Sequence, residues 1–213
     1  MYVPPAFRED DPDTLAAMIR EVRLATLVTS TAEGILATSL PLIFDPAEGE
    51  RGTLHGHVAK ANPQWREPAI GEALAIFMGP DAYITPSWYA AKREHGKVVP
   101  TWNYTAVHAY GVAEFFEDPS RLLGVVTKLT NLHEGQRTAP WSVSDAPTTY
   151  VESQLKGIVG VRIPVSRLVG KRKLSQNRSA ADREGVASGL TESDRATDHV
   201  VAGLIPQGSL NER

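Results

Sequence analysis

A chain of 213 residues, 42% hydrophobic and 22% charged, is long enough to bury a core without disulfides and too apolar for a disordered polymer. Its 22 Lys and Arg against 25 Asp and Glu leave a net charge of −3, which gives no electrostatic ground for DNA, RNA or an anionic membrane as the main partner. The lack of cysteine excludes disulfides, thiolate metal sites, iron–sulfur clusters and cysteine nucleophiles together, and suits a cytoplasmic setting.

Met1-Tyr2-Val3-Pro4-Pro5 has no basic stretch leading into an apolar run, so no secretory signal is expected, and no segment has the length to cross a bilayer. Asp11-Pro12-Asp13 predicts a helix start, with Leu15, Met18, Ile19 and Val22 continuing at helical spacing. From Leu24 to Ser30 the composition turns to that of a strand; Thr31 to Gly34 predicts a turn, and Ile35 to Phe44 a second strand. Thr53 to Val58 predicts a third, and Lys60 to Pro68 a short irregular helix. Ala73 to Met78 and Ala82 to Thr85 read as two further strands, and Pro86 to Gly96 as a loop. Val98 to Phe116 reads as one long strand bent near Pro100 and Gly111. Helices are expected over Pro119 to Leu132 and Pro147 to Leu155, then strands over Ile158 to Leu168 and Lys171 to Leu174 about a turn at Gly170. Ser179 to Leu190 and Asp194 to Leu204 read as closing helices, the first with Ser179 as cap. Six or seven strands with peripheral helices predict one mainly β, barrel-like domain over 1–213, with a helical C-terminal extension over about 176–213.

The phosphate-loop, dinucleotide-fold and hydrolase-elbow signatures are absent, so chemistry must be sought in local clusters. His55-Gly-His57 places two imidazoles on one strand face, but without a third ligand at suitable spacing the plainer reading is hydrogen-bonded strand histidines. Where that strand gives way to a helix at Lys60, free backbone N–H groups and an ammonium suit a phosphate, although surface lysines are common. Ser87-Trp88-Tyr89 and Lys97 to Tyr104 interleave aromatic rings with Asn and Thr, which serves either core packing or the wall of a pocket for a planar heterocycle. Lys171-Arg172-Lys173 reads as a solvated face, and Ser175-Gln-Asn-Arg178 as polar groups that pin a chain end or reach across a subunit boundary. A nucleic-acid patch is the third option for that run.

Together these strings resemble the PaiB-type negative transcriptional regulators, a family of FMN-binding split barrels related to pyridoxamine-phosphate oxidases. The resemblance runs in order along the chain. It includes the 55–65 string His-Gly-His-Val-Ala-Lys-Ala-Asn-Pro-Gln-Trp, the 83–89 string Tyr-Ile-Thr-Pro-Ser-Trp-Tyr, the 97–104 string Lys-Val-Val-Pro-Thr-Trp-Asn-Tyr and the 173–178 string Lys-Leu-Ser-Gln-Asn-Arg. It implies a homodimer of six-stranded split barrels with FMN at the subunit interface. It further implies that His57, Val58, Ala59 and Lys60 hold the flavin phosphate end, and that Thr38, Ser39 and Leu40 lie along the isoalloxazine edge. Thr101, Trp102 and Asn103 then form an aromatic and polar wall, and Gln176 is the remaining flavin-binding candidate. The chain lacks the Ser-Arg that precedes this lysine in the oxidases, so phosphate capture is expected to be weaker or completed by other residues.

Two functions follow from the resemblance. One is a flavin-binding regulator or sensor, with direct DNA contact resting on Lys171, Arg172 and Lys173 doubled in a dimer. The other is an FMN-dependent oxidoreductase acting on a small molecule, with His108, Tyr89 and Tyr104 as proton donors without an assigned role.

Overall fold

Asp11 starts the first helix as its sequence dictates: its carboxylate accepts the Thr14 N–H at 2.8 Å and the Thr14 hydroxyl at 2.6 Å. The computed structural model describes residues 1–208; residues 209–213 of the expected C-terminal extension lie outside the described residues. The strands lie in two antiparallel sheets with helices at their periphery, in the mainly β class that the predicted strands imply. The chain divides into two compact units.

The first unit comprises Met1–Leu15, Met78–Val107 and the chain from Val169 onward. Within it lie β1 (Arg8–Glu9), the later part of β6 (Ala73–Ile84), the earlier part of β7 (Thr101–Gly111) and most of β10 (Arg167–Lys173). Their sheet order is β1-β10-β7-β6, and β1 pairs Arg8 with Lys171 and Glu9 with Gly170. β10 runs straight through Gly170, where a turn was expected. A Cβ there would strike Leu15 and the Glu9 carbonyl, so the glycine serves close approach rather than a bend. Helices α5 (Ala180–Thr191) and α6 (Ala196–Leu204) bury Val186, Leu190 and Val201 with Ile84, Tyr89 and Leu174. The segment read as a loop before β7 holds a 3₁₀ turn, Pro86–Trp88, and a short helix α2 (Ala90–Glu94). Asp182 caps that helix rather than its own, accepting the Ala91 N–H at 2.9 Å.

The second unit comprises Ala16–Phe77 and His108–Leu168. β2 (Ala25–Thr31) pairs with β3 (Gly34–Leu40) and with the start of β6. β4 (Leu42–Asp45), β5 (Thr53–Ala59), β9 (Ile158–Pro164) and β8 (Glu114–Phe116) form the other sheet, in that order. The strand expected over Ile35 to Phe44 is therefore two, broken at Pro41, which has no N–H for a ladder. α1 (Pro12–Glu21) contributes Ala16 and Ile19 to this unit's buried residues. α3 (Pro119–Glu134) packs Leu122, Val125 and Leu129 toward β5 and β9, and α4 (Thr148–Leu155) follows it. Among the described residues no helix is long and apolar enough to cross a membrane.

Candidate functional site

The sequence-predicted site residues fall into two groups, one in each unit. Thr38, Ser39 and Leu40 on β3, with His57, Val58 and Ala59 on β5 and Lys60 just after it, belong to the second. Thr101, Trp102 and Asn103 on β7, with Gln176 after β10, belong to the first.

In the second unit the helix expected from Lys60 is a turn followed by a three-residue 3₁₀ turn, Pro63–Trp65, held by its own polar groups. The Asn62 side chain accepts the Gln64 N–H at 2.9 Å, and its amide donates to Thr38 Oγ1 at 2.8 Å, which brings the β5 exit against β3. Trp65 Nε1 donates to the Lys60 carbonyl at 3.0 Å. Gln64 is buried, and its amide nitrogen donates to the Leu27 carbonyl, Thr29 Oγ1 and the Leu36 carbonyl. These bonds account for much of the unusual composition of the string between 60 and 65: it ties a strand exit to β2 and β3.

The same geometry corrects one premise about Lys60. Its backbone N–H is not free but donates to the Gly157 carbonyl at 2.8 Å, and the Asn62 N–H donates to the Ala59 carbonyl at 2.9 Å. The Lys60 ammonium pairs with the Glu117 carboxylate, a partner not legible from the chain alone. Lys60 and Lys156 line a cleft of about 390 Å³ over Leu122, Leu155 and Ile158, with Glu117 and Glu152 beside them. A phosphate entering this cleft would have to draw Lys60 away from Glu117, so capture there would rest on a displaceable ion pair.

The two strand histidines have different fates. His55 Nε2 lies 2.7 Å from Glu48 Oε2; Glu48 also accepts Arg162 Nε at 2.8 Å, and Arg162 reaches Glu114 at 3.0 Å. That is the hydrogen-bonded strand histidine of the plainer reading. His57 has a buried Nδ1 with no hydrogen-bond partner, and burial holds its pKa below the ordinary 6.5. His108 on β7 has the same two features. Among the described residues no group of three or more His, Asp or Glu is placed to hold a metal.

In the first unit, Trp102 is 48% exposed and meets Tyr83 edge to face, with centroids 5.8 Å apart at 68°. Asn103 is buried, and its amide donates to Ser175 Oγ at 3.0 Å. Thr101 Oγ1 accepts Lys173 Nζ at 2.5 Å, and the Trp102 carbonyl accepts the same ammonium. Gln176 closes its own turn, accepting the Leu174 N–H and donating to the Arg172 carbonyl. The basic run is not a solvated face. Lys171 is buried and donates to the Tyr2 carbonyl at 3.2 Å; Arg172 pairs with Glu9 at 3.4 Å.

A family model described as "Putative FMN-binding domain" matches residues 1–167. The chain is 36% identical over 206 residues to the "Protease synthase and sporulation protein PAI 2" of Bacillus subtilis, covering 96% of each chain. An uncharacterized protein of Aspergillus fumigatus is 35% identical over 238 residues, covering 89% of this chain and 90% of its own. Among solved structures, the FAD and heme binding protein of Mycobacterium smegmatis superposes with a TM-score of 0.59 at 16% identity, covering 85% of this chain and 80% of that one. The flavocytochrome Anf3 of Azotobacter vinelandii does so with a TM-score of 0.55 at 11% identity, over 78% and 69%. At such identities these structures share the fold alone.

Proposed function

The chain belongs to the PaiB-type family of FMN-binding proteins and its cofactor is FMN; from that premise we propose that it is a flavin-dependent regulator or sensor of the cytoplasm, a homodimer of six-stranded split barrels with FMN at the subunit interface. The observation that carries this reading is the condition of the basic run. Lys171, Arg172 and Lys173 are turned onto Tyr2, Glu9, Thr101 and Trp102, so they are not presented as the exposed basic stripe that a phosphodiester backbone needs. Regulation then runs through another molecule rather than through direct DNA contact.

In this reading Lys60 holds the flavin phosphate, with His57, Val58 and Ala59 leading up to it, and Thr38, Ser39 and Leu40 lie along the ring edge. Trp102, beside Thr101, offers the exposed aromatic wall, while Asn103 and Gln176 hold the turn behind it. Exposed Ile35, Ile70, Val99 and Trp102 are apolar surface that a second copy would cover. When bound, FMN supplies the redox chemistry.

A second reading, an FMN-dependent oxidoreductase, is favoured by His57: a buried imidazole held neutral, with an unpartnered nitrogen, on the strand that leads to Lys60. Mixing flavin-loaded protein with NADH or NADPH in air separates the two. The sensor keeps its flavin with slow nucleotide consumption, whereas rapid consumption moves the assignment to the oxidoreductase. A gel-shift series across salt concentrations addresses DNA: no shift is expected even at low salt, and a strong salt-dependent shift would restore direct binding.

A further inference from the structure

A cleft of about 90 Å³ opens in the first unit at the start of β7, the end of β10 and the turn that follows it. Among the residues that line it are Lys173, Arg178, Tyr89, Asn103, Ser175 and Asn177. We propose that this cleft binds a single oxyanion, the carboxylate or phosphate of a small-molecule ligand, through Lys173, Arg178 and the Tyr89 hydroxyl.

Three observations converge on an anion. The first is unbalanced charge: among the described residues neither Lys173 nor Arg178 has a carboxylate within ion-pairing distance, and Lys171 adds a third cation to their field. Burial, then Lys171 and Arg178, hold the Lys173 ammonium below its ordinary pKa, the condition an anion would relieve. The acid that bears on this corner is Asp182, whose Oδ1 is engaged by the Ala91 N–H.

The second is an orphaned donor. Tyr89 is only 1% exposed and lines the cleft; the Arg178 guanidinium bears on its hydroxyl oxygen, but the hydroxyl proton has no acceptor. Buried hydroxyls are ordinarily paired. Burial keeps this phenol above its ordinary pKa, so the group holds its proton and donates. The Arg178 guanidinium lies 4.6 Å from the centre of the same ring, which fixes both groups at the cleft.

The third is a preorganised turn. Ser175 is the one non-glycine residue with positive φ among the described residues, at 64°. Asn103 holds its hydroxyl, and Gln176 bridges Leu174 and Arg172 across the turn. Strain retained by so many bonds is characteristic of a site held ready for a ligand. A cleft this small takes an anionic head group and not a ring system.

The oxyanion has two sources, the phosphate of FMN itself, which would then have its anchor here in place of Lys60, or the acid group of a second ligand, and the test distinguishes them. Flavin-free protein is titrated calorimetrically with inorganic phosphate, FMN and riboflavin, in the wild type and in Arg178→Gln and Tyr89→Phe. Phosphate is expected to bind the wild type, about tenfold more weakly to Arg178→Gln and severalfold more weakly to Tyr89→Phe. If the variants also lose FMN affinity but keep that for riboflavin, the oxyanion is the flavin's own; if FMN affinity is kept, it belongs to a second ligand. Affinities for phosphate and FMN unchanged in both variants would overturn the proposal. Tyr89→Phe preserves the ring and its packing, so it carries the test should Arg178→Gln fail to fold.

Discussion

At the scale of single residues, ion pairs decide which charges are available to a ligand. Lys60, the proposed phosphate residue, already holds Glu117, and both side chains are nearly half exposed. Replacing Lys60 with Ala removes a charge-assisted contact and is expected to weaken FMN by about ten- to a hundredfold, roughly 1.5–3 kcal/mol. Glu117→Gln does the reverse: the freed ammonium should tighten FMN about two- to fivefold, the worth of an exposed pair. Fluorescence titration reads both, and no change in either variant removes Lys60 from the site. Glu48 poses a stability question instead. Burial pushes its pKa up, but hydrogen bonds from Arg162 and His55 outweigh that and leave it below the ordinary 4.5. A carboxylate whose folded pKa is depressed stabilises the fold above its unfolded pKa and loses that contribution as pH falls through the folded value. Glu48→Gln should therefore lower stability at pH 7 by about 1 kcal/mol, since solvent screens a side chain 36% exposed. Melting curves across pH should show the variant and wild type converging as pH falls below 4.5 and through the depressed folded value; a difference that persists in strong acid would mean that Glu48 acts by packing.

At the scale of elements, helix α5 shows how a pattern weak in sequence becomes specific in the fold. Gly185 and Gly189 stand one turn apart and leave room for Trp88: a Cβ at the first would strike the Trp88 carbonyl, and one at the second its indole. Gly185→Ala is expected to destabilise by about 1–3 kcal/mol through overpacking. Gly124→Ala on α3, where a Cβ meets nothing within 4 Å, should stabilise by about 0.4–1 kcal/mol. Thermal melts of the pair test the contact itself, because helix propensity alone gives both substitutions the same sign. Neither role was legible in the chain, where two small residues in a helix look alike whatever packs on them. What was legible follows from local physics: the Asp11 cap, the strands of β2 and β5, and the existence of α3, though its buried face runs through Val125 and leaves Leu123 exposed. What was not depends on partners distant in sequence. Pro41 splits a strand because its missing N–H falls where a ladder would run, and Gly170 stays in a strand because Glu9 and Leu15 come close. The Lys60 string was singled out by its composition, but the sequence could not show its engaged N–H groups or Glu117. Tyr89 and Arg178 were visible as residues; their convergence with Lys173 needed α5 and β10 in place.

At the scale of the whole molecule, the proposed dimer and the cofactor are one linked equilibrium. If each flavin takes its phosphate contact from one chain and its aromatic wall from the other, a lone chain holds half a site and binds FMN poorly. The apparent FMN affinity must then fall on dilution below the dimer's dissociation constant, and FMN must in turn strengthen the dimer, because linkage is reciprocal. Ligand at 100 times its dissociation constant adds about 2.7 kcal/mol to the folded, assembled state. For a chain of this length that corresponds to a rise of roughly 5–10 °C in melting temperature. Riboflavin, which lacks the phosphate, should give a smaller rise, and the deficit expressed as affinity should be at least the loss measured for Lys60→Ala. Sedimentation velocity with and without FMN, over a dilution series, measures both sides of the linkage. A chain that stays monomeric at micromolar concentration while binding FMN with an affinity independent of its own concentration would place the whole cofactor site within one protomer, and the shared-interface reading would fall.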